Sequence, residues 1–563
     1  MTTTLYHTRS DSTAIGGGAL GFHLATDVSR PPVSLKAEVR HSEAFARCML
    51  ALHDVVATDL RSQVRDRSAY MAWVESQYVA ELDRQQRDLY ESRQDLAEEQ
   101  SRLEHSIAKK LNEKQQAYAR IAKHDSSLWR AQSEYFQYLY ETDIALWRVL
   151  DPVISVHPDA TLFEGFSLDE SSYARVTTPM ENLNVRGSPA WGTTNIDFSE
   201  SLARAFQRVR SYRSAILDIG AGTVAAGTAS DMATEKKIDL PPSWVRSFLQ
   251  VQSASAMKGL TVYLSSETLS RVIAVLHRHR ERQGPRSLHF QLRHGSKPRI
   301  TINPWGIVIE EWQHVYDGAE PADICVWGRR RLFCLERLLP HTREVEVRLL
   351  GSGMPSYWSL NLRGHRFDLG LSGWTANDWA TQTRFASFVS PQVVDGRLLA
   401  RARHILQREL LTDPRRLGTE LGVSRRHALA ALQTLCQHGD AMFDLQCEAY
   451  RWRQLLAPED RTDAGMTDDV ADNIGEILLG KGVRVVGRPT MTPRGNSQYT
   501  CEVTIRKTFK PVLDIDTDGR VVNARCNCSY FRRNKLRLGP CPHLLAAAVY
   551  ISQAQDAVEG ATT

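Results

Sequence analysis

The tightest constraint on this sequence is a set of four side chains near its C-terminal end. Cys526-Asn527-Cys528 is followed after twelve residues by Cys541-Pro542-His543. Three thiolates and one imidazole form the donor set that a Zn2+ ion takes in a closed tetrahedral site, with no position left for water. The cysteines of the first pair are two residues apart, so on an extended segment both thiolates project to the same side. Val512 to Ile515 and Val521 to Cys526 read as strands joined by a turn at Asp518-Gly519, and Leu544 to Ile551 reads as a short helix. The expectation is a ββα unit over residues 498–555 that holds one structural zinc ion and needs it to fold, because its core is so small. The sequence has nine cysteines in all, and those outside this cluster lie singly. That spacing argues against a disulfide framework and for a reducing, cytoplasmic compartment.

A chain of 563 residues exceeds what one core can organise, so several domains are expected. Its 70 basic and 65 acidic residues nearly balance, and evidence for a polyanionic ligand must therefore be local. The longest apolar stretch, Leu544 to Ile551, is far short of the ~18 residues of a membrane span. Residues 1–35, rich in Ser, Thr and Gly, read as a flexible leader. Residues 36–150 read as a helical arm, in which Leu82, Leu89, Leu96 and Leu103 recur every seven residues and the repeat shifts by four through Ile107 and Leu111. Such heptads fit a coiled coil between two copies of the chain or a hairpin within one. A polar, Pro-containing run from His157 to Pro189 marks a boundary.

Residues 190–385 alternate β-rich and helical runs, which gives an α+β central domain whose tryptophans (Trp305, Trp312, Trp327, Trp358, Trp374 and Trp379) read as core. Within it, Ile216 to Thr223 is similar to the phosphate loop of actin-like ATPases, but the second acidic, Gly-rich loop that such an enzyme needs is missing. Residues 391–456 have the layout of a winged helix-turn-helix. Asp413 caps a first helix that begins at Pro414, Gly422 makes the turn, Ser424 caps the second helix, and Ala441 to Leu445 with Ala449 to Trp452 form the wing. In the DNA-binding use of that fold the early residues of the second helix, here Arg425, Arg426 and His427, touch bases or phosphates. The finger spacer adds Arg532, Arg533, Lys535 and Arg537 beside Tyr530 and Phe531, a surface suited to phosphates and unpaired bases.

The pattern C-x-C-x(12)-C-x-H resembles the SWIM zinc finger, and it covers about a tenth of the chain. The longer chain also resembles bacterial SWIM-containing proteins, through Phe531-Arg532-Arg533, Gly539-Pro540-Cys541-Pro542-His543 and Trp327-Gly328-Arg329-Arg330-Arg331. This resemblance implies DNA or protein partners, among them a MoxR-type AAA+ ATPase and a von Willebrand A protein. The fold class expected is multidomain α+β with a helical arm, an α+β body, a winged helix and a zinc finger. The function expected is a non-enzymatic adaptor that binds DNA or RNA, or a protein-only subunit of an ATPase assembly, with a nucleotide-binding enzyme in residues 190–385 as the third alternative.

The heptads generate a first prediction. Replacing Leu89 and Leu96 by Glu places charge in the seam, so a wild-type dimer should become a monomer in light scattering. A monomeric wild type would instead assign the heptads to a hairpin within one chain.

Overall fold

The strand Ala160–Phe166 is buried along its whole length, on both faces. Residues of opposite parity on it meet different neighbours. Phe163 packs edge-on against Phe45 of the Ser42–Val56 helix, with ring centroids 5.8 Å apart, and Phe166 against Phe248 of the Pro242–Ser255 helix, at 4.7 Å. The body is thus a sheet between helices, and its core lies on both sides of that sheet. The computed structural model describes residues 20–25, 33–58, 152–195, 198, 200–210, 214–220, 224–228, 231–235, 242–280, 286–373, 379, 394–455, 482–493, 495–504, 507–536 and 539–560.

The central sheet has eight antiparallel strands in the order Leu260–Ser265, Glu344–Leu349, Ser356–Leu362, His365–Leu371, Ser172–Pro179, Ala160–Phe166, Val153–Val156 and Gly192–Asn195. A six-stranded mixed sheet joins Leu35–Val39, Leu183–Val185 and Ala215–Gly220 with Leu20–Ala25, Val224–Thr228 and Asp231–Glu235. A four-stranded antiparallel sheet is built from Leu288–Leu292, Arg299–Ile302, Ile307–Glu310 and Ala322–Val326.

Three expectations change here. Leu20–Ala25, within the expected leader, is a strand parallel to Ala215–Gly220. Residues 36–56, expected to open the arm, are strand and core helix, while the heptad leucines lie outside the described residues. The run 157–189 carries two central strands rather than a boundary. Its polar residues misled because Glu164, Arg175 and Thr178 are buried against partners far along the chain.

One face of the sheet is ionic. Arg175 lies between Asp368, at 2.8 Å, and Asp444, at 3.1 Å, with all three side chains at most 2% exposed. Glu164 accepts from Arg453 at 3.1 Å and from the hydroxyl of Tyr173. Asp444 and Arg453 belong to a second unit, packed over this face. In it the helices Gly396–Glu409, Pro414–Leu421 and Arg425–Gln437 precede a hairpin of Ala441–Asp444 and Ala449–Trp452, and Leu411–Thr412 adds a third strand.

The local chemistry of this unit follows the sequence. Asp413 accepts from the N–H groups of Arg415 and Arg416, Ser424 accepts from His427, and Gly422 takes a left-handed φ of 69°. A Cβ on Gly418 would stand 3.0 Å from the Val423 carbonyl, so the second turn passes too close for a side chain. The hairpin is buried and bound to the sheet. Arg451 reaches Asp444 at 2.6 Å and grips both oxygens of Asp159, and the Phe443 N–H donates to Gln252 at 2.7 Å.

Burial raises the pKa of Asp444, but Arg175 and Arg451 outweigh it and hold the carboxyl well below the usual carboxylate range. Because the folded-state value is depressed, the associated stability is present above the ordinary Asp value and is lost as pH falls below ~4. Removing one partner of a buried pair leaves a charge uncompensated, so Asp444→Ala should cost about 3–5 kcal/mol in denaturant unfolding. A loss below ~1 kcal/mol, the size expected of a surface pair, would remove the network from this role.

Candidate metal centre

The four predicted donors come from two segments of the C-terminal unit. Its sheet runs Val483–Val485, Ser497–Thr504, Val512–Ile515 and Val521–Arg525, so it begins upstream of the expected residue 498. Cys526 and Cys528 follow directly on the last strand. Cys541 and His543 stand at the start of the Pro542–Gly560 helix, whose Leu544, Ala547 and Ile551 are buried. The turn before Val521 is set by Asp516, which accepts from the N–H groups of Asp518 and Arg520 at 2.8 and 2.9 Å, and by Gly519 at φ 81°.

One donor atom from each of Cys526, Cys528, Cys541 and His543 lies within 4.8 Å of all the others, and the three cysteines are buried. Cys528 also caps the short Ser529–Asn534 helix, where its sulfur accepts from the Phe531 N–H at 3.3 Å. A donated hydrogen bond of this kind favours a thiolate. The hydrogen bond with Cys541 holds Cys526 low, at about 4, against the opposing effect of burial. Burial raises Cys528, and the interaction with Cys526 pushes Cys541 up. Gathered thiols share protons unequally, and a divalent cation is what would let all three ionise together.

His543 supplies an independent test of fit. Its Nδ1 is buried without a hydrogen-bond partner, and its ring lies 4.0 Å from that of Phe509. A buried ring nitrogen with no partner costs free energy unless something binds it. The donor set and this bare nitrogen together fit a zinc ion.

The other predicted site residues are placed apart. Arg532, Arg533 and Lys535 stand exposed on the spacer, Phe531 is buried beneath them, and the Lys535 ammonium lies 5.5 Å from the centre of its ring. Arg537 lies outside the described residues. Arg425 forms an ion pair with Asp518 of the finger turn at 2.8 Å, and the His427 ring meets the Ser424 hydroxyl at 2.8 Å. Asp218 of the phosphate-loop candidate pairs with Lys36 at 2.8 Å on a neighbouring strand, and residues 221–223 are not described. Sequence reasoning passed over Asp516 and Asp518, whose only visible signal was a hairpin turn. Among the described residues, no helix is long and apolar enough to cross a membrane.

Elemental analysis of the purified chain should find one zinc. Cys528→Ser and His543→Ala should lose it, whereas Cys325→Ser, Cys334→Ser and Cys436→Ser should keep it, since those thiols stand outside the cluster. Protons compete with the metal for each donor, so zinc should leave as pH falls. A wild-type content near zero, or an unchanged content in Cys528→Ser, would refute the ligand set.

Comparison with known proteins agrees with this geometry at the C-terminal end and adds little elsewhere. No curated protein matches the sequence. Solved structures that align with part of the chain include the Proliferating Cellular Nuclear Antigen from Entamoeba histolytica, at 8% identity over 40% of this chain and 89% of that chain, with a TM-score of 0.30. The PCNA2-PCNA3 complex from Sulfolobus tokodaii aligns at 14% identity over 43% of this chain and 95% of that one, with a TM-score of 0.29. Scores this low establish no common fold. Residues 503–552 match the family model of the SWIM zinc finger, and this part of the chain is a SWIM zinc finger.

Proposed function

We propose that the protein is a non-enzymatic, cytoplasmic adaptor that carries one structural zinc ion and binds nucleic acid through the spacer of its finger. The observation that carries this reading is the exposure of Arg532 and Arg533 on the short Ser529–Asn534 helix and of Lys535 just after it, directly following the Cys526 and Cys528 donors. Cations held on a helix lose little backbone freedom when they meet phosphates, and phosphate contacts dominate non-specific affinity. Phe531 is buried, so the loop offers charge more than base stacking, and both DNA and RNA are ligands in this reading.

The three helices and hairpin of residues 396–452 are a winged helix in our reading, used here as an internal brace. The hairpin that would serve as the wing lies on the ionic face of the sheet, and Arg425 is engaged by Asp518. The same engagement favours a second reading, a protein-only subunit of an assembly with a MoxR-type AAA+ ATPase and a von Willebrand A protein. The heptads of residues 82–103 would then serve self-association or a partner helix.

Salt separates the two readings. For nucleic acid, log K should fall linearly with log salt, and Arg532→Ala/Arg533→Ala/Lys535→Ala should weaken binding and flatten the slope by roughly three. Absence of binding to single- or double-stranded DNA or RNA at low salt would favour the protein-only role.

A further inference from the structure

The turn of the finger hairpin carries two carboxylates, Asp516 and Asp518, only 6% and 4% exposed. Both are seated on cations from outside the finger. Asp516 meets Lys258, just beyond the Pro242–Ser255 helix, at 2.9 Å, and Asp518 meets Arg425, on the first turn of the Arg425–Gln437 helix, at 2.8 Å. Arg520 reaches Asp518 at 3.5 Å and the Ala256 carbonyl at 3.5 Å. Arg426 is covered as well. Its guanidinium donates to the Ser552 carbonyl at 3.5 Å, and a Cβ on Gly519 would lie 3.0 Å from its Nε.

We propose that this contact is a self-mask: the finger's two carboxylates occupy Lys258 and Arg425 in the place of nucleic-acid phosphates, beside an Arg426 covered by the Ser552 carbonyl, and a strand bound to the finger displaces them. The inference rests on the nucleic-acid reading above and extends it to a second, covered surface. Three features support it. Arg425 and Arg426 are the residues that a helix-turn-helix would present to a phosphate backbone. The occupying groups are anions, and the same geometry receives a phosphate oxygen. The contacts are polar, and their cations keep 44% exposure at Lys258 and 36% at Arg425, so water and a phosphate reach the cation side of each pair, while the aspartate side chains are 1% and 3% exposed. The hairpin at the other end of this unit has no such access. Its Asp444 and Arg451 are 1% and 5% exposed, so exchange belongs to the finger side alone.

The test uses the full-length, zinc-loaded protein with a single-stranded oligodeoxythymidylate and a DNA duplex as probes. Asp518→Asn keeps the shape of the side chain and removes its charge. It should bind about two- to fivefold more tightly, the scale of one half-exposed ion pair, with a salt slope steeper by about one to two. Adding Arg425→Ala should return affinity to the wild-type value, whereas Arg425→Ala alone should leave it unchanged. Should the variant lose its zinc, hydrogen exchange on the wild type provides the second readout: amides 516–520 should lose protection when the oligonucleotide binds. Unchanged or weaker binding by zinc-loaded Asp518→Asn, increased protection of 516–520, or no binding by any variant would overturn the mask. Tighter binding by Asp518→Asn that survives Arg532→Ala/Arg533→Ala/Lys535→Ala would leave the mask standing and remove the finger-loop reading instead.

Discussion

The placement of Arg175 between Asp368 and Asp444 decides how this protein is organised. One guanidinium, removed from water, joins a strand of the central sheet to a hairpin nearly seventy residues beyond that sheet's last strand. A charge so deeply buried is tolerable only when it is paired, and here each neighbour is paired in turn: Asp368 also accepts from Arg366, and Asp444 from Arg451. Lifting the hairpin from the sheet therefore breaks the Arg175–Asp444 and Glu164–Arg453 pairs together. This fixes the unit of residues 396–455 to the body and buries its hairpin.

The finger is held by a different force. The body has a large apolar core in which Trp358, Trp379, Phe45, Phe163 and Phe166 are wholly buried, enough to fold without help. The finger's own core is smaller: Val503, Leu513, Ile515, Val521, Phe531, Leu544, Leu545 and Ile551 are buried around its cysteines. A zinc ion bound by all four donors would add to the folding free energy of so small a unit. Its contacts to the rest include half-exposed ion pairs at Lys258 and Arg425. The exposed cations of the spacer thus belong to the part of the described chain that a bound zinc ion would stabilise.

Much of this was legible in the sequence, and the failures have a common cause. Caps, turns and metal ligands are local: Asp413, Ser424, Gly422, the Asp518-Gly519 turn and the two cysteine-bearing pairs each announced themselves within a few residues. Glu164, Arg175 and Thr178 did not, because their partners lie about 200 or more residues away and polar composition alone suggests exposure. Arg425 failed in the same way. A basic helix terminus is a candidate for phosphate until the acidic turn that covers it is known, and that turn lies 93 residues further on.

Hydrogen exchange on the intact chain, with and without a zinc chelator, tests this division most directly. The account predicts that chelation abolishes protection in residues 497–560, while the central sheet and the Ala441–Asp444 and Ala449–Trp452 hairpin keep theirs. Protection that survives in the finger strands would show that its core folds without metal, and a parallel loss across the central sheet would show that body and finger are one cooperative unit; either result would contradict the account.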